Sequence, residues 1–595
     1  MLRLLCCLWC AGVLCAGDAA EEFDALIDTA LAASGQTAQP SADRASVVRR
    51  AWIDLGGRLP SVAELRAGLG QEQPAVVAAL VGSPAWEHAT FIWLADSLRV
   101  QSRLQDRLPG QAWIAWLRAA VAANMPWDAM VRAMLTAEGQ AYAAGGGPTG
   151  FTLRDAGMPL DHAALMAQTF LGTRIGCAQC HDHPYDRWTR GEFYQFAAFS
   201  ADARTQTNPG REFAGLRQRL AEAPPDLRNA ARAVANLVGA RVVPARKDWL
   251  EVPKDWQDAA RKSGERIAAQ ALFPPVAPAS GGDPRQRLAV WMTSPENRRF
   301  ALAIGNRAWK RVFGLGLVEP VDDLRGDPAE ALPPLHDRLA RLVVESAFDL
   351  RRIHLVLAST RHYARGAWTG PLPAQGGVVP GRPVARLPAT VWWDSLVTLA
   401  SDAPDAPAPD AAGMLAETHQ RLAAGGPEAV FALAERLAAL RRGGPAAAKA
   451  DPEAAALVQA MRPGAQRRAG RDALLRASVL PQPAPAGHPL RILGQSDREL
   501  IDNASLQPNA TQALLLMNGV VDQELTVPRS RIMRELAALP DDAARIDHLW
   551  LATLGREPSP AERQRASAAF AEQPREAAAD LLWALLNTAE FRMTR

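Results

Sequence analysis

The stretch Ser294-Pro295-Glu296-Asn297-Arg298-Arg299-Phe300-Ala301-Leu302-Ala303-Ile304-Gly305-Asn306-Arg307-Ala308-Trp309-Lys310-Arg311-Val312-Phe313-Gly314 decides the fold class. Ser294 can cap a helix, Pro295 has a backbone angle already suited to the first helical position, and Gly314 can adopt the left-handed stop. Between these signals, Phe300, Ile304, Ala308 and Val312 recur at helical spacing on one face. Arg298, Arg299, Arg307 and Arg311 are expected to remain solvated.

The same periodicity runs through most of the chain, and alternating runs of Val, Ile and Thr are scarce. A mainly α, multi-helical fold follows. Hydrophobic residues make up 48% of the sequence, enough to bury a substantial core and to exclude disorder as the default. Lys and Arg total 66 against 63 Asp and Glu, and the arginines are spread along many segments, so no nucleic-acid footprint is visible.

Three segments read as joints: Gly145 to Gly150, the polar and proline-bearing stretch 202–282, and the Ala/Pro-rich stretch from Ala403 to Ala412. The main boundary is placed at 202–282, as a linker or insert. It separates a site domain over 20–201 from a second helical domain over 283–595. An Ala/Arg-rich insertion near 403–480, punctuated by Gly425, Gly426, Gly443, Gly444 and Pro445, is expected to form a helical hairpin.

At the amino terminus Arg3 precedes an apolar run from Leu4 to Leu14, and the small residues Ala16, Gly17, Ala19 and Ala20 follow. That is the layout of a cleaved secretory signal over 1–19, with export to the periplasm or cell surface as its consequence. Gly12, Gly17 and Asp18 are expected to break any helix there. No transmembrane segment is expected in the mature chain.

Cys6, Cys7, Cys10 and Cys15 all lie in that leader, which leaves Cys177 and Cys180. A disulfide-stapled scaffold and a four-cysteine iron-sulfur cluster are excluded by count. The remaining pair stands in Cys177-Ala178-Gln179-Cys180-His181, the form of a c-type haem attachment sequence. There two thiols bond the haem vinyl groups and the adjacent histidine ligates iron. With 10 histidines in 595 residues, a histidine follows a CxxC pair by composition alone in under roughly 2% of cases.

Three rival readings use the same residues. The thiols could exchange electrons as a dithiol, with His181 lowering a thiol pKa. They could bind zinc or non-haem iron with His181 or His183, and Asp182 and Asp186 nearby. They could also be an inert pair. A sixth haem ligand would come from Met158, His162 or Met166, at four-residue spacing, although a core or capping role fits those residues as well. His183, two residues from His181, is poorly placed for the opposite face.

Tyr185, Trp188, Phe193, Phe196 and Phe199 could wall a haem edge or fill a helical core. Gly145, Gly147 and Gly150 satisfy GxGxxG without a preceding strand and read as a flexible loop. Asp322 and Asp323 form a carboxylate pair with no evident partner, suited to a turn. No sequence feature assigns a catalytic residue or a substrate.

The chain resembles the planctomycete cytochrome-like domain joined to the planctomycete-specific carboxyl-terminal domain. For the first, the resemblance rests on Arg49-Arg50-Ala51-Trp52-Ile53-Asp54-Leu55-Gly56-Gly57, Asn124-Met125-Pro126-Trp127-Asp128, Phe170-Leu171-Gly172 and Cys177 to Pro184. For the second, it rests on Thr293 to Asn297, Asn306-Arg307, Trp309, Gly314 to Asp323, Ala504 to Gln507, Met517 to Gly519, Leu554 to Arg556 and Leu586 to Phe591. Arg58-Leu59 departs from the pattern. The resemblance implies a cytochrome-like site without an established reaction. The expectation is therefore an exported c-type-haem-like redox or electron-transfer protein with a redox partner or cell-surface protein docking on its second domain. The alternative is a non-haem metal-binding module or a surface assembly protein.

Overall fold

The computed structural model describes the chain except residues 1, 106–107, 207–212, 214, 257–260, 274–282, 327–329, 462–473, 508, 520–523, 575 and 595. It is 58% helical and 5% strand, so the fold is mainly α with many helices. Among the described residues the strands are two or three residues long. Gly139–Gln140, Arg241–Val243 and Arg204–Gln206 form one antiparallel sheet in that order, and Trp249–Glu251 pairs antiparallel with Arg266–Ala268.

The helix predicted from Ser294 to Gly314 runs Arg298–Phe313. Asn297 caps it by accepting from the Phe300 N–H at 3.1 Å, while Ser294 closes the preceding turn through the Glu296 N–H, which corrects the start by about one turn. Gly314 ends it with φ 82°. Phe300, Ile304, Ala308 and Val312 are buried as their spacing requires.

The arginines are not solvated as expected. Only Arg298 remains largely exposed, paired with Asp337 at 2.7 Å. Arg299 and Arg307 are buried, and Arg311 donates to the Asp54 and Leu55 carbonyls and to Thr90 at 3.0–3.1 Å. Burial pushes the Arg311 pKa down to about 9, against the pull of Asp54. The reason is topological: the helix lies between the two halves of the chain, and its polar flank meets backbone carbonyls and carboxylates rather than water.

The Arg49-to-Gly57 motif supplies much of that meeting. The helix Arg44–Ala51 passes into one wide π-turn at Trp52–Gly56, which turns the Asp54 side chain toward the second domain. There Asp54 accepts from Arg382 at 2.6 Å and from the Tyr363 hydroxyl at 3.0 Å. Arg50 donates to the Tyr363 and Arg365 carbonyls. Every partner in this group lies more than 250 residues from Asp54 in the chain.

The amino-terminal helix runs unbroken over Leu2–Ala33. The expected interruption at Gly12, Gly17 and Asp18 does not occur: a helix anchored at one end propagates without a new nucleus, and each glycine costs only about 1 kcal/mol. The anchor is its second half, where Phe23, Ile27 and Leu31 are buried against the helices Pro334–Glu345 and Leu350–Ala358. Asp24 fixes the register by accepting from the Arg361 and His362 N–H groups.

Two expected joints are packed structure. Gly147 and Gly150 let the backbone lie on tryptophans, because a Cβ would fall 2.6 Å from Trp116 Cβ and 2.3 Å from Trp113 Cβ. The described part of 202–282 is likewise no bare linker. Its helix Pro225–Gly239 buries Ala231, Val234, Leu237 and Val238 against the helical run Ala411–Ala450. That run bends sharply at Gly426 and Gly444, each at positive φ and each followed by a proline that opens the next piece, and it then meets Pro452–Met461. The predicted hairpin is thus a broken helical array, and the segment 462–473 lies outside the described residues. Arg219–Glu428 and Arg442–Asp226 pairs tie the two insertions together.

Candidate functional site

The site loop leaves the helix Pro159–Leu171 at Gly172, whose φ of 58° ends the helix. A Cβ there would also fall 2.7 Å from Leu324 Cγ, so glycine is required twice over. Ile175 is fully buried and pins the chain before one 3₁₀ turn, Gly176–Gln179. Cys177 and Cys180 project from this turn, both free and exposed. The turn itself is held weakly, by Ala178 N–H to Ile175 O at 2.9 Å and Cys180 N–H to Cys177 O at 3.3 Å.

His181 is exposed, and its Nδ1 lies 2.7 Å from the Asp182 carbonyl. That contact favours the tautomer with the proton on Nδ1 and a lone pair on Nε2, the form in which imidazole binds a metal. His183 is committed differently: its Nδ1 accepts from the Tyr185 N–H at 3.2 Å, and its backbone N–H donates to Trp188 O at 2.8 Å.

Asp182 accepts from the Arg190 N–H at 2.8 Å. Asp186 accepts from the Arg187 N–H at 2.8 Å and from Trp188 Nε1 at 3.1 Å. Both carboxylates therefore shape the loop. Among the described residues no group of three or more His, Cys, Asp or Glu side chains converges as metal ligands would.

The sequence candidates for a sixth ligand lie elsewhere. Gly176 faces Ala164: a Cβ at this position would lie 4.0 Å from Ala164 Cβ. His162 and Met166 each stand two residues from Ala164, about 200° around the helix, and so face away from the cysteine turn. His162 is buried, 3.0 Å from Asp155 and against the Phe151 ring. Burial alone would raise the Asp155 pKa, but the His162 hydrogen bond and the charges of His162 and Arg99 outweigh it and bring it to about 2. Met166 is core, and Met158 caps the far end of the helix. The structure brings none of the three to Cys177, Cys180 and His181.

The aromatic stripe is core as well. Trp188, Phe193, Phe196 and Phe199 are all buried, whereas Tyr185 stands out on the loop at 83% exposure. The helix Arg190–Ala197 that follows opens with a Thr189–Glu192 capping box. Arg190 lies over Trp256 at 4.6 Å and pairs with Asp255, so the middle segment covers the back of the site.

Sequence reasoning missed how the second domain reaches this loop. Asp322 accepts from Arg174 at 2.6 Å and from Gln168 at 2.5 Å, and the Leu324 N–H donates to the Gly172 carbonyl at 2.6 Å. Asp323 pairs with Arg325 instead, and Arg325 is held charged by Asp323 first and to a lesser degree by Asp186. The only signal in the sequence was the unexplained carboxylate pair.

Comparison with known families matches two segments of the chain. One family model, PSCyt2, described as a protein of unknown function (DUF1549), matches residues 22–205. A second, PSD1, described as a protein of unknown function (DUF1553), matches residues 284–570. The chain carries a PSCyt2 domain followed by a PSD1 domain. No curated protein and no solved structure matches it. The cysteine turn lies in the PSCyt2 part, and the Asp322 loop that grips it lies in the PSD1 part.

Proposed function

We propose that the protein is an exported redox or electron-transfer protein in which Cys177 and Cys180 hold one haem by thioether bonds and His181 is its iron ligand. One observation carries the reading: two outward thiols share a single turn, and the histidine that follows keeps Nε2 available while Nδ1 faces a carbonyl. Attachment adds each S–H across a vinyl group, so no atom is lost and no oxidant is consumed. Haem would supply one-electron chemistry at a potential set by its ligands and exposure.

The chain's own residues have defined tasks in this reading. The Asp182 carbonyl orients His181, the Asp182 and Asp186 carboxylates hold the loop backbone, and the exposed loop leaves the site open to a redox partner or cell-surface protein. Export follows from the leader reading of residues 1–19. A zinc or iron site made from the Cys177 and Cys180 thiolates with His181 or His183, and with Asp182 and Asp186 nearby, is the competing chemistry. It ranks second because His183 Nδ1 already accepts from the Tyr185 N–H and no three such side chains converge among the described residues.

The test is the intact mass and absorption spectrum of full-length protein from a host that matures c-type cytochromes. The expected result is a mass increased by one haem, a Soret band that survives acid-acetone extraction, and loss of both in Cys177→Ser/Cys180→Ser. The same mass reads the new amino terminus, expected between about Ala16 and Glu22. An unmodified mass with bound zinc or iron, lost in both His181→Ala and His183→Ala, would replace haem by the non-haem site.

A further inference from the structure

The cysteine turn has little holding it from within, and residues 172–175 leading into it lie outside any helix or strand. The segment that leads into it is gripped from the other domain. The Asp322 side chain is 5% exposed and places one oxygen on Arg174, three residues before Cys177, and the other on Gln168 in the preceding helix. Leu324 completes the grip through its N–H to Gly172 O and through the close approach that only a glycine permits.

The gripping loop is itself fixed. Arg299, buried on the central helix Arg298–Phe313, donates to the Leu324 carbonyl and to Gly326 O at 2.6 Å. A continuous set of hydrogen bonds thus runs from the core of the second domain to the residues that aim the two thiols.

We propose that Asp322 is the positioning residue of the cysteine turn, so that the working geometry of a site in the PSCyt2 domain is set by the PSD1 domain. The inference rests on Cys177, Cys180 and His181 being the working site, but not on which cofactor they hold. It assigns the second domain a role at the site itself. A carboxylate that bridges a guanidinium and an amide, one oxygen to each, fixes direction as well as distance, which a hydrophobic contact would not.

The test uses full-length, reduced, haem-free protein, with iodoacetamide alkylation of Cys177 and Cys180 followed by peptide mass spectrometry across the pH range in which thiols ionise. Asp322→Asn should change the alkylation rates or their pH profile by about threefold or more, the size of a coupling within one polar network. Arg174→Gln should change them in the same direction, the double variant should add little to either, and Asp322→Glu should restore part of the wild-type profile. If Asp322→Asn lowers the melting temperature but leaves both thiol profiles unchanged, Asp322 is a structural staple and the proposal falls.

If Asp322→Asn does not fold, Arg174→Gln carries the test, since that side chain is 45% exposed and Gln168 still donates to the Asp322 carboxylate it leaves behind. Unchanged thiols there overturn the proposal equally. Failure to attach haem in any host would remove the haem reading and leave the thiol result standing. Conversely, a haem protein whose midpoint potential and thiol profile ignore Asp322→Asn would keep haem and lose the positioning role.

Discussion

Two motifs in the first domain, Arg49 to Gly57 and Cys177 to Pro184, both carry reactive or charged side chains but have opposite environments. In the first, Arg50 and the Asp54 side chain are buried and their partners are carbonyls, Arg382 and Tyr363 of the second domain. In the second, both cysteines and His181 face solvent, and the acidic side chains bond only to nearby backbone and Trp188. A buried ion with every partner inside the protein is a device of assembly, whereas exposed thiols beside an oriented imidazole are available for chemistry. The presence of such side chains in a motif does not by itself separate the two.

The largest effect expected from that contrast is at Asp54. Asp54→Ala strands the Arg382 guanidinium and the Tyr363 hydroxyl in the interior, and should cost about 3–5 kcal/mol in urea denaturation or prevent accumulation of folded protein. A loss below about 1 kcal/mol would mean that the network is spectator packing.

The next effect is acid sensitivity carried by buried histidines on the assembly side. Burial, aided by Arg476, pushes the His88 pKa down to about 4, and burial does the same for His362, where Arg365 and Arg50 add to it and Asp24 opposes it. His354, between Trp86 and Trp93, is also lowered well below its usual value by burial and by Arg311. The unfolded chain takes up protons near pH 6.5 and the native state does not, so stability should fall as pH drops from about 6.5 to about 4. Full loss from His362 is worth about 3 kcal/mol, and His362→Gln should flatten the dependence. A melting temperature that stays level through this window would contradict the assignment.

The smallest effect is expected at the site. In haem-free protein, Cys177→Ser/Cys180→Ser should change stability by no more than about 0.5 kcal/mol, because neither side chain is buried. A destabilisation approaching that of Asp54→Ala would erase the distinction between the two motifs.

The helical fold was legible because periodicity is local: Phe300, Ile304, Ala308 and Val312 fall on one buried face wherever their helix is placed. The burial of Arg299, Arg307 and Arg311 was not, since it depends on carbonyls and a carboxylate brought from distant segments. Likewise, Cys177, Cys180 and His181 stand out by spacing, while Gln168, Arg174 and Asp322 are ordinary residues until the fold joins them across about 150 positions. For Met158, His162 and Met166 the core or capping role is the one observed: Met158 stands at the N-cap, outside the helix, while His162 meets Asp155 and Met166 lies in the core.

The docking of Phe23, Ile27 and Leu31 between the helices Pro334–Glu345 and Leu350–Ala358 has a consequence for synthesis. An early segment of the chain finds its seat only after some three hundred further residues have been made. At ribosomal rates of about 5–20 residues per second, that delay is roughly 15–60 s, during which an apolar helix face waits uncovered. The boundary between the two families is therefore not a safe place to cut. A fragment ending near residue 205 would keep that sticky face and lose its cover, and a fragment beginning near 284 would have an empty groove where the helix belongs.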